Sequence, residues 1–102
     1  MFTDIINGVN MRGDGFELQM KVKCIDNCGF TNFVVGEIYD AFTEWNTFYK
    51  MCFWKVHYKD DENTLMCGGK DCFLEMFEII EQKEIDSKLA HDMLYRNIPV
   101  TW

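Results

Sequence analysis

The residues whose types and spacing could do chemistry are, first, the five cysteines. Cys24 and Cys28 form a C-x3-C pair, and Cys67 and Cys72 form a C-x4-C pair. Two such thiolate pairs could hold a zinc ion, although knuckle sites prefer two intervening residues. Cys24 also falls in register with the apolar face of an alternating segment, where a thiol packs as a small hydrophobe. No metal or other cofactor is therefore expected. Cys52 or Cys72, activated by His57 or His91, would make a nucleophile and its base. No local signature surrounds any of these four residues. There is no Walker loop, no G-x-G-x-x-G, no H-E-x-x-H and no G-x-S-x-G. Paired carboxylates act as acid and base only when they oppose each other in a cleft with separated pKa values. Asp60-Asp61-Glu62 instead reads as a solvated hairpin loop. The expectation is a protein that is not an enzyme, with no catalytic residue.

The remaining chemistry is recognition. The chain of 102 residues is 16% aromatic and carries 17 acidic against 10 basic residues, a net charge of −7. The acidic excess is concentrated between Glu37 and Lys83. A nucleic-acid backbone is bound through Lys and Arg that displace counterions, so direct binding to nucleic acid is not expected. A basic surface on a partner protein is the better electrostatic match. The candidate partner-binding residues are Glu44, Trp45, Phe48, Tyr49, Asp60, Asp61, Glu62 and Trp102, because aromatic anchors dominate protein interfaces. Phe48 and Trp54 have the competing reading of interior residues. Trp45 and Trp102, in a turn and at the end of the sequence, are expected to be exposed. No window approaches the ~18 apolar residues of a membrane helix. The first residues lack a basic region and a long apolar core, so a cytoplasmic location is expected. An odd cysteine count fits that reducing compartment.

These residues need a scaffold. At this length and 48% hydrophobic content one domain is expected. Residues 1–15 read as an N-terminal extension with turns at Asn7-Gly8 and Asp14-Gly15. Residues 16–24 alternate perfectly: Phe16, Leu18, Met20, Val22 and Cys24 on one face, polar residues on the other. A strand of that length must curve or run along an edge. Asp26-Asn27-Cys28-Gly29 ends it. A second strand is expected over 34–42, with Gly36 marking a bulge or a close backbone approach. A turn follows at 44–47 and a third strand over 48–59, with Cys52, Trp54, Val56 and Tyr58 on one face. A short strand at 64–67, a helical turn at 72–74 and a closing strand at 76–80 complete the β region. After Glu81 the spacing of Ile85, Leu89 and Met93, and of Ala90 and Leu94, becomes helical, giving a C-terminal helix over 84–96 that Pro99 cannot continue. Its apolar stripe should pack on its own barrel, since so short a helix is marginal alone. The expected fold is mainly β (α+β): a small SH3-like antiparallel barrel over 16–80 with a C-terminal helix.

Met20-Lys21-Val22-Lys23-Cys24-Ile25-Asp26-Asn27 with Gly29 resembles the opening of small SH3-like β-barrel proteins of bacteriophages and prophages. Val35-Gly36-Glu37-Ile38-Tyr39, Asp60-Asp61-Glu62 and Phe73 with Phe77-Glu78-Ile79-Ile80 are similar to the same family. The resemblance spans roughly residues 20–80. It departs at residues 1–19, at the segment from 81, and at Cys72, where the family commonly places a basic residue. It implies a phage origin and a non-enzymatic role, and it assigns no ligand-binding residue. The function expected is that of a small acidic phage protein that binds and inhibits a host protein, such as a defence or nucleic-acid-processing factor, in the host cytoplasm. The alternatives are a nucleic-acid-associated accessory barrel, with Lys21, Lys23, Lys50, Lys55 and Lys59 as a local stripe, or an oligomer that sequesters a small molecule.

Overall fold

The computed structural model describes residues 5–6, 9–10, 15–57, 64–67 and 69–102, with side chains for 15–57 and 69–102. Two short strands, β1 (Ile5–Ile6) and β2 (Val9–Asn10), pair antiparallel. The main sheet is built from β3 (Phe16–Cys24), β4 (Ile38–Asn46), β5 (Met51–His57), β6 (Thr64–Cys67) and β7 (Phe77–Asp86). Helix α1 (Lys70–Met76) joins β6 to β7, and α2 (Ser87–Leu94) follows β7 directly. The five strands lie in the order β6-β5-β4-β3-β7, with antiparallel pairing throughout. Among the described residues no helix is long and apolar enough to cross a membrane.

The fold is α+β and its sheet is open. Strands β6 and β7 are its two edges, so the closure of an SH3-like barrel is not present in this sheet. The alternating segment 16–24 is the strand it was expected to be, but it runs second from one edge. Its register against β7 slips between Lys21 and Val22, which leaves Ile80 as the extra residue on β7. Such a bulge bends the strand that carries it, here β7, and raises the local twist.

Several boundaries move. The second strand begins at Ile38, not Val34. Gly36 sits at φ 96 in the turn before it, so its role is the left-handed backbone of that turn and not a bulge inside the strand. Glu44, Trp45 and Asn46 continue β4 instead of turning, because each pairs across to β5: Glu44 with Phe53, Trp45 with Cys52 and Asn46 with Met51. The expected helical turn at 72–74 is a seven-residue helix that buries Phe73 and Met76. The expected helix over 84–96 is shorter at both ends. Residues 84–86 finish β7, and the Asp86 side chain accepts from the Lys88 N–H at 2.8 Å, which caps α2 where the strand ends. The expected hairpin loop 60–63, Asn7-Gly8 and the side chain of Tyr58 lie outside the described residues.

Both faces of the sheet are covered. On one, Leu18, Met20, Val22 and Cys24 of β3 meet Tyr39, Ala41, Trp54, Val56 and Phe77, beneath Phe73 and Met76 of α1. Phe33, from the β3–β4 loop, is driven into this core and makes edge contacts with Tyr39 and Phe77 at 5.0 and 5.2 Å. On the other face, Phe42 and Ile85 receive Ala90, Met93 and Leu94 of α2. The helix therefore packs on its own sheet, as expected, although Ile85 belongs to the strand and Leu89 faces outward. Covering the second face buries Glu17 and Gln19, which the alternation alone assigns to solvent.

His57 is the titratable link between the sheet and α2. Its ring is buried, lies 5.5 Å from Phe42, and donates from Nε2 to the Leu94 carbonyl at 2.7 Å. Burial holds its pKa below the ordinary 6.5; the hydrogen bond to Leu94 pulls the other way without winning. The sign follows from linkage: as pH falls through 6.5 the unfolded chain takes up this proton first. Stability contributed by neutral His57 is thus full above that pH, declines below it, and stops declining once the folded state is also protonated. Urea unfolding between pH 8 and pH 5 is expected to show this loss, and His57→Gln is expected to flatten it. An unchanged slope in that variant would assign the loss to other groups.

Candidate interaction surface

The turn of residues 47–50 between β4 and β5 carries the most exposed aromatic side chains of the described residues. Phe48 is 82% exposed and Tyr49 64%. The turn is built, not loose. The Asn46 carboxamide oxygen accepts from the Tyr49 N–H at 2.9 Å, and Asn46 pairs with Met51 to close the hairpin. Lys50 holds φ 53, the left-handed conformation that reverses the chain into β5. The two rings meet edge to face at 4.9 Å, and Tyr49 meets Phe53 at 6.0 Å. This contact leaves both rings largely exposed.

Below the turn lies a cleft of about 250 Å³ between β4 and α2, lined by Glu17, Thr43, Glu44, Trp45 and Thr47 and, from the helix side, by Ser87 and His91. It opens where β3 and β4 stop pairing, beyond Gln19 and Phe42. There side chains replace the ladder. The Leu18 N–H donates to Thr43 Oγ1, which donates to Glu17 Oε1, and the other Glu17 oxygen accepts from the Trp45 N–H, each at 2.8 Å. Beside it, Lys55 Nζ donates to Glu44 Oε1 at 2.7 Å and to Tyr95 Oη at 2.8 Å, while the Tyr95 hydroxyl donates to the same Glu44 oxygen at 2.8 Å. Burial pulls the Lys55 pKa down, but its bonds to Glu44 and Tyr95 outweigh that and the net direction is up. This triangle ties β4 and β5 to the end of α2 with its charges matched.

The expected anchors thus divide. Phe48 and Tyr49 are exposed side by side; the interior reading fails for Phe48 and holds for Trp54, which is 2% exposed. Trp45 is half-buried, because it is a strand residue. Glu44 is half-buried and committed to Lys55 and Tyr95. Trp102 is 44% exposed and lies against Lys21 and Lys83 instead of beside the hairpin turn. Asp60, Asp61 and Glu62 lie outside the described residues.

The imagined nucleophile pairs are not assembled. Cys52 and His57 stand five positions apart on one strand, hence on opposite faces. Burial, with the Glu17 charge adding to it, pushes the Cys52 thiol up to about 12, where it stays protonated at neutral pH. Cys72 is exposed on α1, whereas His91 is on α2, across the sheet. Cys24 is fully buried in the first core and packs there as a hydrophobe, as its register required. Cys28 is exposed, at φ 49 in the turn after β3. Among the described residues no group of three His, Cys, Asp or Glu side chains is arranged to hold a metal ion.

Sequence reasoning missed three residues of this region: Thr43, Tyr95 and Gln19. Each acts through a partner far along the chain, so no local pattern marks it. Comparison with protein families, with curated proteins and with solved structures returns no match in any of the three.

Proposed function

We propose that this chain is a protein-binding module that engages a host protein with a basic surface and inhibits it. The observation that carries the reading is the solvent-facing pair Phe48 and Tyr49 at the tip of a hydrogen-bonded hairpin turn. Aromatic side chains held out in one conformation lose little entropy when a partner buries them, and they supply large contact areas. The net charge of −7 favours a basic partner and speeds its encounter. The phage origin and the SH3-like form of the fold rest on the resemblance across residues 20–80; the inhibitory role rests on the acidic charge and the aromatic anchors. The bulge in β7 opposite Lys21 and Val22 is compatible with that form; a full barrel would further require β6 and β7 to meet.

A tagged chain incubated with bacterial lysate at several salt concentrations should retain one predominant protein, and less of it as salt rises. Recovery of nothing at any salt concentration counts against the reading. An accessory role on nucleic acid would instead give gel shifts with single-stranded DNA at low salt. Lys21 and Lys55 already face Asp40 and Glu44, at 3.4 and 2.7 Å, which leaves less positive charge for phosphate.

A further inference from the structure

After α2, residues 97–102 form a strap over the α2-side face of β3 and β7. Val100 packs against the second core. Gln19 Nε2 donates to the Thr101 carbonyl at 2.7 Å, and Lys83 donates to the Trp102 carbonyl. The ammonium groups of Lys83 and Lys21 lie 4.9 and 5.5 Å from the centre of the Trp102 ring.

The seat fits the strap imperfectly. Gln19 is 1% exposed, and its Oε1 accepts from no donor among the described residues. A buried amide oxygen without a donor is costly. A donor is close by: the Thr101 N–H points to Met93 Sδ at 3.5 Å, a weak acceptor. In a fully extended chain one residue directs its N–H and its C=O to the same side, as in the paired residues of an antiparallel ladder. An extended residue in the place of Thr101 would therefore give its C=O to Nε2 and its N–H to Oε1. The strap makes only the first of these bonds. Its path is set elsewhere, by Arg96 at φ 62 and by the bonds of the Asn97 and Ile98 N–H groups to the Asp92 carbonyl. Pro99 then restricts the approach.

We infer that this groove is a docking site for an extended peptide segment of a partner protein. That segment would pair its main chain with both ends of the Gln19 amide and lay an aromatic side chain against Lys21 and Lys83. The strap is a built-in occupant that the segment displaces. The inference does not depend on the role of Phe48 and Tyr49.

The probe is a fluorescein-labelled peptide, Gly-Val-Thr-Trp-Gly, which keeps the strap's aliphatic-x-aromatic order without its proline. In anisotropy titrations the Trp102→Ala chain is expected to bind it about tenfold more tightly than the native chain, because the strap no longer competes for the aromatic position. Adding Gln19→Leu to that variant is expected to abolish binding. In the native chain the NMR signals of the Gln19 side-chain amide should shift as the peptide reaches millimolar concentration. A folded Trp102→Ala chain that binds no tighter than the native one overturns the inference. So does binding that survives Gln19→Leu. If either variant fails to fold, the native chain decides: unmoved Gln19 amide signals refute the site.

Discussion

Truncating Trp54 to alanine is expected to lower the free energy of unfolding by about 3–5 kcal/mol. That is a large part of the ~5–15 kcal/mol available to a domain of this kind. Trp54 is 2% exposed and lies 5.0 Å from Phe73, which in turn stacks on Phe77 at 5.5 Å. The cavity left by its indole would sit between β5 and α1, where the neighbouring Met20, Val22 and Ala41 cannot collapse to fill it without moving the central strands. Urea unfolding of the two chains measures the difference. A loss under about 1.5 kcal/mol, the scale of a well-tolerated hydrophobic exchange, would mean that Trp54 is not the keystone of the first core.

The second large effect concerns binding and should leave the fold alone. Phe48→Ala and Tyr49→Ala are each expected to weaken capture of the partner by about 30-fold, the ~2 kcal/mol of an aromatic hot spot. Their effect on unfolding should stay within about 0.5 kcal/mol, as at other exposed positions. The turn is held by the Asn46 carboxamide bonding the Tyr49 main chain, and that bond survives both substitutions. Titration of the captured protein against each variant, with urea unfolding run alongside, separates the two effects. Full affinity in the double variant would remove the hairpin turn from the interface and leave the strap groove as the remaining docking surface.

Trp54 and Phe48, one from each prediction, stand six positions apart on one hairpin and show how far the chain could be read before its structure. Composition and alternation marked both residues as β-prone and bulky. They did not say that β4 would run on to Asn46 and displace the turn by three residues. That displacement decides the matter. With the turn at 44–47, Phe48 would start a strand and face the interior; with it at 47–50, Phe48 is at the tip. Strand ends are set by pairing with a neighbour, and the pairs Glu44 with Phe53 and Trp45 with Cys52 are interactions that no local window contains.

Period-two alternation was enough to define β3, the single-residue placement of Leu18, Met20, Val22 and Cys24 in one core, and the burial of the Cys24 thiol, because alternation follows from strand geometry alone. The helical spacing of Ala90, Met93 and Leu94 likewise identified α2 and its contact with the sheet, whereas Ile85 and Leu89, read into the same stripe, are a strand residue and an outward-facing one. The fate of the opposite face of β3 was a tertiary matter. Glu17 and Gln19 look like solvent residues until α2 and the strap fold over them, and then each needs hydrogen-bonding partners more than twenty residues away: Thr43 and Trp45 for one, Thr101 for the other. A polar side chain carries no mark of whether its face will be covered. The second layer of this fold creates the buried amide at Gln19 and the closed triangle of Glu44, Lys55 and Tyr95, because only packing brings distant donors and acceptors out of water together.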